Sequence, residues 1–149
     1  MSRPALILAL VLIGGAGSTA AARLDHPSPM PKVAVLMKSV VDRASTDIFN
    51  IAGEADPANG ADQKLPDVKG WAAVQADAAR LRSIALAMQS PSTGKVGEIN
   101  WMVQSRAMAS ASAAIEQAAA LRAPGALANA ANDLSDTCSA CHAVYKKQK

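Results

Sequence analysis

Apolar residues recur at every third and fourth position along most of this chain, and proline and glycine divide the pattern into four stretches. The first follows Pro31 and runs to about Asn50, with Val33, Leu36, Met37, Val40, Val41, Ala44 and Ile48 on one helical stripe. The second, about Val68 to Gln89, carries Trp71, Val74, Ala78, Leu81, Ala85 and Met88 in strict three-four alternation and stops at Ser90-Pro91-Ser92-Thr93-Gly94. The third covers about Gly97 to Arg122: Ile99, Met102 and Val103 open it, and an alanine-rich stretch leads on to Ile115 and Leu121. Pro124-Gly125 separates it from the fourth, about Pro124 to Lys147, whose seam is Leu127, Ala131, Leu134, Cys138, Cys141 and Tyr145. Nothing alternates strand with helix, so the pattern predicts an all-α chain of four helices.

Gly53 to Lys69 interrupts this order with Asp56-Pro57, Asn59-Gly60 and Pro66-Asp67, residue pairs that favour turns. A connection of that length is unusual in a compact bundle. It either covers the edge of a bound group or is mobile, and its polarity favours mobility.

The first 22 residues read as a secretory leader. Arg3 supplies a positive start, Ala5 to Ile13 a short apolar run, and Ser18-Thr19-Ala20-Ala21-Ala22 the small residues of a cleavage site, which predicts cleavage after Ala22. A membrane anchor is the competing reading, but the apolar run is about half of the ~20 residues a spanning helix needs. The expectation is a signal peptide over 1–22 and one exported domain over 23–149, periplasmic and without a membrane span once the leader is removed. The formal charge of +3 falls to about +2 with the leader gone, which is too little to argue for a nucleic-acid partner.

The fourth stretch contains Cys138-Ser139-Ala140-Cys141-His142, the C-x-x-C-H pattern of covalent haem attachment. Two thiols add to the two vinyl groups of haem, and the adjacent imidazole reaches the iron as proximal ligand. On a helix the three residues stand at i, i+3 and i+4 and share a face. Other chemistry fits the same letters. A structural zinc site needs four ligands, and only His26 remains to supply the fourth. A thioredoxin-like pair belongs beside a βαβ pattern. A plain disulfide, or a motif without cofactor, also stays open. Haem explains one further property: aromatic residues make up only 3% of the chain, so a core of Ala, Leu, Val and Met lacks bulk that a porphyrin would supply. Because the cysteines occupy seam positions, the haem would sit inside the bundle.

Four helices with C-x-x-C-H on the last one resemble the class II c-type cytochromes, cytochrome c-prime and its Met-ligated low-spin relatives. The continuation Ala143-Val144-Tyr145-Lys146 adds to the likeness, since the family often has an aromatic and then Arg or Lys at these offsets. The resemblance covers the mature chain in architecture, and its specific residues lie in the last helix. It implies an antiparallel, up-down-up-down four-helix bundle with one covalent haem c on the C-terminal helix. Cys138 and Cys141 would hold it, His142 would be the proximal iron ligand, and Lys146 would stand beside the proximal pocket. Lys146, Lys147 and Lys149 equally suit a helix C-terminus.

The family places its distal residue on the first helix, and Met37 lies near that place. A thioether there raises the reduction potential and suits electron transfer. Met30, Met88, Met102 and Met108 are other candidates, and an open site is the remaining one; Met37 could equally be packing. One departure stands out: members commonly have an Arg four residues before the distal residue, whereas this chain has Val33 there and Lys32 one position off.

The resemblance therefore implies a periplasmic electron carrier that meets redox partner proteins and catalyses no reaction. Its alternative is a five-coordinate protein that binds NO or CO at an open distal site. Peroxidase chemistry lacks a distal acid-base histidine. Homodimers are common in the family.

Overall fold

The computed structural model describes residues 32–146. The expected leader, His26, Met30, Lys147 and Lys149 lie outside the described residues.

Those residues are all-helical, without a strand among them. Helix α1 spans residues 33–55 and is continuous, although its turn Met37–Val41 is a π turn between Val33–Leu36 and Asp42–Ala55. A 3₁₀ segment, Pro57–Asp62, follows. Helices α2 (Val68–Met88), α3 (Ile99–Ala120) and α4 (Pro124–Tyr145) complete the bundle, with a 3₁₀ turn at Pro91–Thr93 between α2 and α3. Helix α3 packs extensively on both α2 and α4, and α1 closes the ring by packing on α2 and α4.

Local chemistry sets the ends. The Asp67 carboxylate accepts the Gly70 N–H at 2.7 Å and caps α2. Pro124 occupies the first turn of α4, where its missing N–H costs nothing. At the end of α3 the Ala123 N–H donates to Ala118 O and the Arg122 N–H to Ala119 O, a Schellman closure. That closure puts Arg122 at φ +50°.

The core holds Ile48, Leu81, Ile115, Leu127 and Leu134, all without exposed surface. Every position of the stripe expected on α2 is buried, from Trp71 to Met88. Helix α3 departs from its expected face: Ile99, Val103 and Leu121 are exposed, and the inner face is Trp101, Ser105, Met108, Ser112 and Ile115. The two serines make this possible, because each hydroxyl donates to the carbonyl four residues back (Trp101 and Met108) and so needs no water.

Helix α1 runs on past Asn50, since Ala52 and Ala55 extend the buried stripe of Ile48. The connection expected to be mobile is laced to that helix end. Asn59 Nδ2 donates to Gly53 O, Gln63 Nε2 to Ala55 O, and the Lys64 N–H to Glu54 O, so the last carbonyls of α1 gain partners.

Candidate functional site

Helix α4 changes character along its length. Leu127, Ala130, Ala131 and Leu134 are buried, whereas Cys138, Cys141 and Tyr145, the next residues of the same seam, are only half-buried and His142 is exposed. The motif thus begins where the helix stops being sealed by its neighbours. Cys138 still packs against the main core.

The two sulfurs are not joined to each other. Burial pushes the Cys138 thiol above its ordinary value, with repulsion from Cys141 adding to it, and burial likewise raises Cys141. Both groups are therefore protonated at neutral pH. Reactive redox cysteines and metal-binding thiolates need the opposite shift. Among the described residues, no three His, Cys, Asp or Glu side chains gather into a metal-holding cluster. Two half-open thiols on one helix face can each add across a carbon–carbon double bond, sulfur bonding to one carbon and the S–H hydrogen passing to the other. The donor set fits haem c: two thiols and an imidazole at i, i+3 and i+4, at the unsealed end of a core seam.

Lys146 follows the motif by one turn. Its N–H donates to His142 O at 3.1 Å and its side chain is exposed, as expected of a residue that ends the helix.

Met37 is half-buried and packs against the same core as Cys138. A π turn begins at this residue, where the Asp42 N–H reaches back five residues to Met37 O. Val33, Leu36 and Val40 are half-buried like Met37, so this whole end of α1 is less covered than the stripe from Val41 onward. Of the other methionines, Met88 and Met108 are buried and Met102 is half-buried.

A group of residues near the motif was not assembled from the sequence: Lys95, Glu98, Trp101 and Tyr145. Trp101 and Tyr145 meet edge to face, with ring centroids 5.2 Å apart and planes at 89°. Lys95 Nζ lies 2.6 Å from Glu98 Oε1 and 5.6 and 5.3 Å from the Trp101 and Tyr145 ring centroids. The i, i+3 spacing of Lys95 and Glu98 was visible, but their meeting with Tyr145 depends on how α3 and α4 pack.

Two grooves lie elsewhere, one lined by Phe49, Asn50, Glu54, Asn59 and Asp62, the other by Phe49 and Ala52 of α1 and Asp56 just after it, with Ala128, Ala131 and Ser135 of α4. Neither includes a motif residue. No described helix is long and apolar enough to cross a membrane. The chain matches no protein-family model, no curated protein and no solved structure.

Proposed function

We propose that this chain is an exported mono-haem c-type cytochrome of the class II kind, which carries electrons in the periplasm and catalyses no reaction. The observation that carries the proposal is the setting of the motif: two unpaired thiols with the imidazole on the next residue, half-open at the point on the α4 seam where full burial ends.

An antiparallel, up-down-up-down arrangement belongs to the same proposal. It is supported by Trp101 at the start of α3 bonding Met88 at the end of α2, by Tyr145 at the end of α4 meeting Trp101, and by the groove shared between the end of α1 and the first half of α4. On that arrangement the start of α1, with Met37, lies at the motif's end of the bundle.

Cys138 and Cys141 would hold the haem, each S–H adding across one vinyl group, with sulfur bonded to one carbon and hydrogen to the other. His142 would be the proximal ligand and Met37 the distal one. When bound, haem supplies an iron that cycles between ferric and ferrous states. A thioether ligand favours the ferrous state, and a helix-borne pair of ligands changes little between states, which keeps electron transfer fast. Exposed Lys32, Lys38 and Lys146 would make this end basic, since Lys95 is already neutralised by Glu98. An acidic redox partner would dock there transiently.

A second reading has its own support. Met37 is only half-buried, as are Val33, Leu36 and Val40 around it, which suits an open distal side with Met37 as a wall of a pocket for NO or CO.

Absorption spectra of the exported protein, oxidised and reduced, with and without carbon monoxide, beside Met37→Ala, test both. Low-spin haem that ignores carbon monoxide and turns high-spin in the variant supports electron transfer with Met37 as ligand. High-spin haem that binds carbon monoxide in the wild type supports the second reading. Absence of covalent haem refutes both.

A further inference from the structure

The last turn of α4 carries the imidazole, and the end of a helix is where backbone hydrogen bonds run out and fraying begins. This end is held by side chains. Trp101, 3% exposed, donates its indole N–H to Met88 O at 2.8 Å and takes the edge-to-face contact of Tyr145. Tyr145 in turn lies against the Lys95 ammonium, 5.3 Å from its ring centroid, and that ammonium donates to Glu98. Three helix ends meet in this cluster: the C-terminus of α2, the N-terminus of α3 and the C-terminus of α4. Lys95 already fills the space against the two rings, so the cluster is a clasp and offers no room for another cation.

Tyr145 stands three residues after His142 and four after Cys141, one turn further along the same face. A side chain that ties this turn to α3 also sets the direction in which the turn presents its imidazole. Ligand orientation is controlled by such supporting contacts as much as by the ligand itself. The geometry points to Tyr145 and Trp101 as positioning residues for His142, holding the orientation of the proximal imidazole through the clasp with Glu98 and Lys95. This inference rests on the haem reading of the motif.

The test uses the full chain, exported and matured, as wild type, Tyr145→Ala, Tyr145→Phe and Glu98→Gln. Mass measurement reports covalent haem, paramagnetic resonance of the ferric protein reports the axial ligand field, and hydrogen exchange reports the amides of residues 142–145. Tyr145→Ala should keep its haem, shift or split the ferric signal, and exchange those amides faster by roughly tenfold or more, as expected when a local opening becomes about 1.4 kcal/mol easier. Tyr145→Phe, which keeps the ring contact, should restore the wild-type signal. A Tyr145→Ala protein that melts earlier yet keeps the wild-type ferric signal overturns the inference, because the ring would then serve stability alone. If that variant does not accumulate, Tyr145→Leu takes its place, and an unchanged signal in it and in Glu98→Gln overturns the inference equally. Wild-type protein without covalent haem refutes the cytochrome reading itself, and the mass shows this before any variant is compared.

Discussion

The indole N–H of Trp101 reaches the carbonyl of Met88 at 2.8 Å, so the first turn of α3 gives the last residue of α2 a partner that the backbone cannot supply. Trp101 can do this and still receive Tyr145 because its ring is buried between three helix ends.

The clasp has a defined pH range. The hydrogen bond from Lys95, and after it the nearby Tyr145 hydroxyl, holds the Glu98 carboxyl below the ordinary carboxylate value, so its contribution is complete above that ordinary value and is lost as pH falls through the lower, folded one. Lys95 is raised, first by its bond to Glu98, so its contribution is complete below the ordinary lysine value and is lost as pH rises through the folded one. Near-ultraviolet dichroism should stay constant through the neutral range and change at acid pH below the usual carboxylate range. Glu98→Gln should remove the acid step.

Leu134 is fully buried one turn before Cys138. Leu134→Ala should lower stability by about 2–5 kcal/mol, through lost transfer energy and the cavity left behind. Urea unfolding of the purified protein measures it, and a loss under about 1 kcal/mol would mean the seam collapses to fill the space.

Much of this architecture was legible because the α2 stripe and the first half of the α4 seam consist of apolar residues at helical spacing, and all of them are buried. Gly53 misled the end of α1: nothing lies within 4 Å of where its Cβ would be, and the helix passes straight through it. The α3 face was misread because Ser105 and Ser112 do not look like core residues until their hydroxyls are seen to bond within the helix. The motif residues were legible as letters with fixed spacing. Their half-open setting, and the clasp, come from packing between helices far apart in sequence.

Arg122 adopts φ +50° to complete the Schellman closure of α3, a conformation that costs an L-residue roughly 1–2 kcal/mol. Arg122→Gly should therefore stabilise the protein, by about 0.5–1 kcal/mol once glycine's greater freedom in the unfolded chain is set against the gain. An upward shift of the thermal midpoint would show it, and a downward shift would mean the Arg122 side chain makes a contact worth more than the strain.

In the protein without haem, both thiols should react slowly with iodoacetamide at neutral pH and faster as pH rises, since burial favours their protonated form. Cys138, raised by Cys141 as well as by burial, should lag behind Cys141. Mass mapping of the alkylated apo-protein gives the order.

The π turn gives α1 one residue more than its core stripe has use for. Counting back from Val41 by fours arrives at Met37, and counting back by the five residues that the turn spans arrives at Leu36. Met37, the soft ligand of the two, is the one that packs against the core, with Leu36 half-buried beside it. Lys32, which stands one position off when Met37 is the reference, falls four residues before Leu36. Removing Ser39 would shorten this turn by one residue, giving α1 a single count from end to end and setting Leu36 rather than Met37 four places before Val41.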